Sequence, residues 1–198
     1  MAQHVADPYV RKAKALGYRS RAAFKLAEID RTDRLFAPRQ RVVDLGAAPG
    51  GWSQVAAERV GAGGRVIAVD ILEMAPLPGV RIIRGDFTDE VVLRELEGAL
   101  GGARVDLVLS DMSPNLSGVA AADQARSIQL CELALEFGLA HLKPGGSLLV
   151  KAFQGAGFPA FLQRLRTSFE RVASRKPDAS RSRSSEMYLL ARGPRGNR

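Results

Sequence analysis

Residues 42–53 read Val-Val-Asp-Leu-Gly-Ala-Ala-Pro-Gly-Gly-Trp-Ser, an apolar strand that runs directly into a turn of small residues. Gly46 and the Gly50-Gly51 pair carry no side chain, so the backbone of this turn can approach a ligand closely. In open α/β sheets, an acidic residue at a strand end followed by a glycine turn is typical of a nucleoside-binding crevice. The spacing Gly-x-x-x-Gly differs from the Gly-x-Gly-x-x-Gly of dinucleotide-binding enzymes and from the phosphate-binding P-loop.

Outward from this stretch, strand and helix patterns alternate along the chain, which predicts an α/β fold with a mostly parallel, doubly wound sheet. The predicted strands are 41–45, 65–70, 80–84, 105–110, 147–152, 169–175 and 186–191. The predicted helices lie near 51–60, 88–98, 121–142 and 158–168, and two more, 8–15 and 20–31, precede the sheet. The connection 176–185 lacks a helical period, so the last two strands are expected to pair antiparallel.

The length of 198 residues fits a single domain. Within it we expect a basic helical extension at 1–39, the sheet that carries the site at 40–192, and a frayed tail at 193–198. Ser20 is the expected N-cap of the second helix of the extension.

Cysteine, histidine and apolar residues are distributed in a way that excludes several classes of protein. Cys131 is the only cysteine and there are two histidines, which excludes a zinc cluster and an internal disulfide. No apolar run approaches the roughly 20 residues of a transmembrane helix. We therefore expect a cytoplasmic protein with no metal and no membrane contact, and a monomer by default.

The formal net charge of +8 is unevenly distributed. Residues 1–39 hold 9 Lys and Arg against 4 Asp and Glu, and residues 164–198 hold 10 against 3, whereas the middle holds 10 against 14. Two basic ends around a near-neutral centre suggest a clamp on a polyanion such as RNA. The alternative is a set of scattered, solvated arginines.

Acidic residues recur at the carboxyl ends of the first three predicted strands. Asp70 ends the second strand, where an acid commonly accepts hydrogen bonds from ribose hydroxyls, and Asp86 follows the third, placed for the amine of adenine. Either residue alone could simply form a turn. The series Asp44, Asp70, Asp86 favours nucleoside binding, while Trp52 either packs its helix or shapes the pocket.

The sequence from Asp44 to Trp52 resembles motif I of S-adenosylmethionine-dependent methyltransferases. This resemblance implies S-adenosylmethionine as the cofactor and a Rossmann-like methyltransferase fold with a seven-stranded sheet. It places the following residues at the cofactor: Gly46, Gly50, Trp52, Asp70, Asp86 and Asp111.

Four further polar residues are predicted to meet at the same edge of the sheet. Asp111 follows the fourth strand, Lys151 ends the fifth and Glu186 begins the last. A buried strand would normally have an apolar residue at the position of Lys151. Lys25 lies on the apolar face of the helix 20–31, where it either reaches this edge or extends along the surface as a snorkelling lysine. The chain has 23 Arg and only 6 Lys, and a lysine, unlike an arginine, can lose its proton and act as a general base on a hydroxyl.

Lys25, Asp111, Lys151 and Glu186 match in order and context the Lys-Asp-Lys-Glu tetrad of the FtsJ-type RNA ribose 2′-O-methyltransferases. The resemblance covers nearly the whole chain, and the chain is most similar to the bacterial members that methylate a uridine ribose in large-subunit rRNA. Ser113 stands where their pattern more often has Ala. Other matching segments are Asp7–Val10, Ser20–Ala22, Phe24–Leu26, Val150–Gly155 and Arg175–Asp178.

This resemblance implies S-adenosylmethionine-dependent 2′-O-methylation of a uridine in 23S rRNA, on the assembled or late-assembling large subunit. It gives Lys151 the role of base or alkoxide stabiliser, and Asp111 that of orienting Lys151 and contacting the methionyl end of the cofactor. Lys25 would position the ribose, and Glu186 would hold the lysine or the target.

Three alternative functions remain open. The first is methylation of a cap ribose, because cap-specific enzymes share the tetrad. The second is a non-catalytic RNA-binding or ribosome-assembly factor that retains the fold. The third is a Rossmann oxidoreductase, which the glycine spacing disfavours.

Overall fold

The computed structural model describes residues 7–115, 117–180 and 184–196. These residues form seven strands and six helices, labelled in chain order. The strands are β1 Arg41–Leu45, β2 Arg65–Asp70, β3 Val80–Arg84, β4 Val105–Ser110, β5 Leu142–Phe153, β6 Phe169–Arg175 and β7 Glu186–Pro194. The helices are α1 Pro8–Ala15, α2 Ala22–Asp33, α3 Gly51–Val60, α4 Glu90–Leu100, α5 Ala120–His141 and α6 Phe158–Ser168.

The strands form one sheet in the order β3-β2-β1-β4-β5-β7-β6, which confirms the predicted α/β architecture. Strands β1 to β5 pair in parallel, and β7 is antiparallel to both β5 and β6, as the missing helix before β7 predicts. The order reverses between β1 and β4, and in sheets of this kind the crevice beyond the carboxyl ends at the reversal binds ligands.

The predicted start of β5 is wrong. Strand β5 begins at Leu142, five residues before the predicted start at 147, because Leu142 already pairs with Val105. Ser147 pairs with Leu107, so the intervening Pro-Gly-Gly turn is retained as a bulge in the strand.

The predicted start of the frayed tail, residue 193, is also wrong. Strand β7 extends to Pro194, which pairs with Phe169, and the backbone N–H of Arg195 donates to the Ser168 carbonyl at 2.8 Å. Residues 197–198 of the predicted tail lie outside the described residues.

The expected Ser20 cap of α2 is wrong as well. The helix begins at Ala22, and Arg21 takes the N-cap position without a side-chain hydrogen bond. Ser20 instead lies against the start of α3, where a Cβ on Gly51 would collide with its Oγ. The glycine at 51 therefore allows close packing between the entries of α2 and α3.

Helices cover both faces of the sheet and leave the carboxyl edge of the strands for the site. On one face, α2 and α3 bury Leu26, Ile29 and Trp52 against β-strand residues. On the other, α4, α5 and α6 bury a larger cluster that includes Leu135 and Phe161. Burial of Leu26 and Ile29 holds α2 on the sheet and confirms that Lys25 lies on the packed side of that helix.

Candidate active site

All four predicted tetrad residues lie at the carboxyl edge of the sheet. Asp111 directly follows β4, and its backbone N–H donates to the Leu45 carbonyl of β1 at 3.1 Å. Lys151 is near the end of β5, and Glu186 opens the antiparallel strand β7 beside it. The carboxyl ends of β4 and β5 and the start of β7 therefore bring these three side chains together.

The first half of the tetrad is a buried pair. Lys151 Nζ donates to the backbone carbonyl of Asp111 at 2.6 Å and lies 3.0 Å from Asp111 Oδ1. The Lys151 side chain is only 7% exposed, so a ligand can reach Nζ from few directions. An ammonium has three N–H donors, so the hydrogen bond to the Asp111 carbonyl and the ion pair with its carboxylate leave donor capacity for a ligand oxygen.

The second half joins Lys25 to Glu186. Lys25 Nζ donates to Glu186 Oε1 at 2.6 Å, and the hydroxyl of Ser180 donates to the same oxygen at 2.9 Å. Burial by itself would raise the pKa of Glu186, but Lys25, Ser180 and the charge of Lys151 together lower that pKa. Glu186 is therefore a carboxylate at neutral pH, fixed by its two donors.

Tyr188 connects the two pairs. Its hydroxyl accepts from Lys25 Nζ at 3.3 Å and donates to Asp111 Oδ1 at 3.3 Å. Burial, with the nearby Asp111 and Glu186 charges, raises the Tyr188 pKa well above its usual value, so the phenol stays neutral. Sequence reasoning missed Tyr188, although residues two apart in a strand share a face and Glu186 precedes it by two.

Trp52 lies behind this network rather than on its surface. Its indole N–H donates to the Ala22 carbonyl at 2.9 Å, and its ring lies 5.6 Å from that of Tyr188. The residue is 2% exposed. This position favours helix packing over the predicted cofactor contact, and Trp52 supports the site by packing against Tyr188.

The loop that leads to Glu186 is fastened to α2. The Arg175 guanidinium forms two hydrogen bonds with the Asp33 carboxylate, at 2.7 and 2.6 Å. The backbone N–H of Asp178 donates to both carboxylate oxygens of Glu28, at 3.0 and 3.1 Å. These contacts bring Ser180 within reach of Glu186.

Beside the tetrad, the crevice expected beyond the carboxyl ends of β1, β2 and β3 begins at the glycine turn after β1. Gly46 has φ 74°, and a Cβ there would lie 2.7 Å from Met112 Cγ, so only glycine fits. Gly50 has φ 104° at the start of α3. Both predicted glycines thus hold the turn in a left-handed conformation that other residues rarely adopt.

Asp70 and Asp86 organise the far side of the crevice. The Asp70 carboxylate accepts from the backbone N–H of Ala48 and that of Leu72, each at 2.8 Å. Asp86 Oδ1 accepts from the backbone and hydroxyl of Thr88, and these two bonds lower the Asp86 pKa. Asp86 Oδ2 accepts no bond from the described part of the chain and is directed to solvent or ligand.

Asp44 lies at the floor of the site and is fully buried. Ser53 Oγ donates to its Oδ2 at 2.6 Å, while Oδ1 has no hydrogen-bond partner in residues 7–115, 117–180 and 184–196. Burial raises the pKa of Asp44 to about 7, and the charges of Asp111 and Asp70 add to this effect. An unpartnered buried oxygen normally marks a place where a ligand or water binds.

This donor and acceptor set fits an S-adenosyl ligand. Asp70 retains lone pairs for ribose hydroxyls, Asp86 has an open oxygen for an amine, and Asp44 has one buried acceptor. The described residues contain no group of His, Cys, Asp and Glu that could hold a metal ion. Nor does any helix among them combine the length and apolar character needed to cross a membrane.

The basic residues at the two ends of the chain fall into two groups. Arg19 and Arg175 are used internally, since Arg19 donates to the carbonyls of Ala75 and Pro76 at 2.6 and 2.7 Å. Arg11, Lys12 and Lys14 are exposed on α1 and remain accessible to a polyanion. Arg181 and Arg183, which belong to the predicted basic end 164–198, lie outside the described residues.

Sequence comparison assigns most of the chain to one family. The sequence model of the FtsJ-like methyltransferases matches residues 18–194. A relative from Azoarcus sp. (strain BH72), named Ribosomal RNA large subunit methyltransferase E, is 63% identical over 190 residues, covering 96% of this chain and 93% of the relative. A relative of the same name from Thiobacillus denitrificans is 58% identical, covering 98% of this chain and 88% of the relative.

Structural comparison agrees. A crystal structure described as a ribosomal RNA methyltransferase from Plasmodium falciparum superposes with a TM-score of 0.80 at 28% identity, covering 91% of this chain and all of that chain. A second, from Clostridium thermocellum, has a TM-score of 0.58 at 16% identity and supports the fold alone.

Proposed function

The chain belongs to the FtsJ-like methyltransferase family, and from this premise we propose that it methylates the ribose 2′-oxygen of a uridine in 23S rRNA. It is a methyltransferase, and its cofactor is S-adenosylmethionine. The relatives at 63% and 58% identity are both named as enzymes of the ribosomal large-subunit RNA, which supports rRNA as the substrate class.

The observation that carries this proposal is the arrangement around Lys151. Lys151 Nζ donates one hydrogen bond to the Asp111 carbonyl and is ion-paired with the Asp111 carboxylate, which leaves donor capacity at Nζ for a ligand oxygen. A ribose 2′-hydroxyl placed beside Nζ would be stabilised as a developing alkoxide by the ammonium form, whereas the neutral amine form would accept the hydroxyl proton and become the ammonium. The nearby Glu186, Lys25 and Tyr188 form a fixed network that keeps Lys151 and Asp111 in place.

The cofactor supplies an electrophilic methyl group on a sulfonium centre. The residues that would hold it are Gly46 and Gly50 through the backbone, Asp70 and Asp86 at the nucleoside, and Asp111 near the tetrad. Lys25, Asp111, Lys151 and Glu186 are the proposed catalytic residues. Because alignment and removal of one proton suffice for this transfer, no metal is needed.

We further propose the cellular setting. The substrate is rRNA within the assembled or late-assembling large subunit, in the cytoplasm, and the protein acts as a monomeric single domain. The target nucleotide must present its 2′-hydroxyl, which favours a single-stranded or splayed rRNA loop.

The direct test is methyl transfer from labelled S-adenosylmethionine to large subunits isolated from cells that lack this protein. We expect label in 23S rRNA from these subunits and none in rRNA from subunits already modified in wild-type cells. Binding of NAD but not S-adenosylmethionine would support the oxidoreductase instead. Cofactor binding without any transfer would support a non-catalytic assembly factor.

Replacement of Asp70 by Ala is expected to weaken S-adenosylmethionine binding by about 1.5–3 kcal/mol, because charged hydrogen bonds to the ribose are removed. Asp70 also holds the N–H groups of Ala48 and Leu72, so its replacement loosens two walls of the crevice. The control is Glu73→Ala in the same loop, whose carboxylate is 83% exposed. Calorimetry that finds equal cofactor affinity for the Asp70 variant and the control would remove Asp70 from the site.

Neutralising Arg11, Lys12 and Lys14 with Gln is expected to reduce the salt dependence of RNA binding. Each side chain that no longer pairs with a phosphate should lower the slope of log K against log salt by about 0.7–0.9. The matched control replaces Arg81, Arg84 and Arg94, which are 56%, 64% and 67% exposed and lie away from α1. If the α1 variant keeps the wild-type slope, these three side chains do not contact RNA phosphates.

A further inference from the structure

A cavity of about 300 Å³ adjoins the tetrad on the side of α5. Its lining includes Pro114, Ala120, Gln124, Ser127, Phe153 and Ser185. Three segments of the tetrad border it, because Pro114 follows Asp111 by three residues, Phe153 follows Lys151 by two, and Ser185 directly precedes Glu186. Lys151 Nζ lies 5.9 Å from the centroid of the Phe153 ring, so the cavity begins beside the proposed reacting atom.

The lining combines apolar surface with a few fixed polar groups. Phe153, Pro114 and Ala120 supply the apolar part, while hydroxyls and a carboxylate come from Ser113, Ser127, Ser185 and Asp123. The Gln124 amide is held in place, since its Nε2 donates to the Phe153 carbonyl at 3.1 Å. The same amide packs on Gly155, where a Cβ would lie 2.6 Å from Oε1.

This chemistry suits a flat heterocycle with hydrogen-bonding groups along one edge. Small-ligand sites are typically apolar cavities with a small number of placed polar groups, and their volumes begin near 300 Å³. RNA-modifying proteins bind unstacked bases by aromatic contact and by hydrogen bonds to the base edge. The cavity offers both, aromatic contact from Phe153 and hydrogen-bonding groups from Gln124 and the three serines.

We propose that this cavity receives the base of the nucleotide whose 2′-hydroxyl meets Lys151. The inference rests on the proposed function and deepens it, since it assigns the recognition of the target base to named residues. The 2′-oxygen and the base are attached to neighbouring carbons of the ribose. A ribose held at Lys151 therefore places its base beside the tetrad, and the cavity is adjacent there.

The first test fills the cavity mouth with Ala120→Phe, at an exposed first position of α5. The matched control is Ala121→Phe, the exposed neighbour that does not line the cavity. We expect Ala120→Phe to lower single-turnover transfer to unmodified large subunits by about 10- to 100-fold relative to the control. Cofactor affinity, measured in parallel by calorimetry, should be equal in the two variants.

The second test couples the cavity to the base itself. Large subunits are prepared with the mapped target uridine replaced by another nucleotide, and Gln124→Ala is compared with Gln129→Ala, an exposed control on α5. Gln124→Ala lowers the transfer rate by some factor on native subunits and by another on the altered subunits. If Gln124 contacts the base, the factor on native subunits is at least about fivefold larger.

The outcomes separate this inference from the proposed function. Equal rates for Ala120→Phe and Ala121→Phe would overturn the base site, and so would independent effects of Gln124→Ala and the base change. In either case, transfer by the wild-type protein would still support the proposed function. Absence of transfer by the wild-type protein would overturn both.

Discussion

Replacement of Lys151 by Arg is expected to lower the single-turnover rate of methyl transfer by at least about 100-fold, although the positive charge is retained. Arginine remains protonated at any accessible pH and cannot accept a proton from the ribose hydroxyl. Its planar group also cannot reproduce both the hydrogen bond of Lys151 Nζ to the Asp111 carbonyl, at 2.6 Å, and the ion pair with Asp111 Oδ1, at 3.0 Å. Cofactor affinity should survive, since the residues proposed to bind the other end are Asp70, Asp86 and the backbone at Gly46.

The measurement is single-turnover transfer to unmodified large subunits, with cofactor binding assayed in parallel. The control is Lys143→Arg, the same exchange at an exposed lysine paired with Asp106, which should leave the rate unchanged. A Lys151→Arg enzyme within about tenfold of wild type, a barrier change near 1.4 kcal/mol, would exclude proton abstraction by Lys151. Alignment and electrostatic stabilisation would then account for its role.

A second large effect is expected from Asp44, whose burial raises its pKa from 3.8 to about 7. An acid with a raised pKa binds its proton more tightly in the folded than in the unfolded state. Its contribution therefore reduces the free energy of unfolding as the pH rises, by about 1.4 kcal/mol per pH unit between roughly pH 4 and 7. Between pH 5 and 7 the wild type should lose about 2–3 kcal/mol relative to Asp44→Asn, which does not titrate.

Urea denaturation of the apo forms of wild type and Asp44→Asn at pH 5, 6, 7 and 8 measures this effect. Comparing the two proteins cancels the contributions of other titrating groups. One of these is His141, whose pKa is lowered by burial, so that its contribution to stability increases as the pH rises. The difference should grow up to about pH 7 and then level off. Parallel curves over the whole range would mean that Asp44 does not titrate as its burial requires.

The fold and the positions of most candidate-site residues could be predicted because the determining patterns are local. Alternating strands and helices predict the sheet, and strand ends in a parallel sheet converge by geometry, which brings Asp111 and Lys151 together. The position of Lys25 on the packed face of α2 follows from the helical spacing of its apolar neighbours. For these residues, knowledge of position along an element is enough to predict position in space.

What the sequence did not reveal depends on contacts between distant segments. Tyr188 looks like a core residue of an apolar strand, and only the position of its hydroxyl between Lys25 and Asp111 identifies it as a bridge. The Arg175–Asp33 pair joins residues 142 positions apart. Ser20 resembles a helix cap, yet the close approach of Gly51 gives it a packing role instead.

The position of the transferred methyl group tests the central claim most directly. Large subunits from cells with and without this protein are compared by mapping 2′-O-methyl groups in 23S rRNA, and the purified protein is added back with S-adenosylmethionine. The account predicts one 2′-O-methyluridine that is absent without the protein and restored by its addition. A methyl group on a base, or an unchanged ribose methylation map, would contradict it.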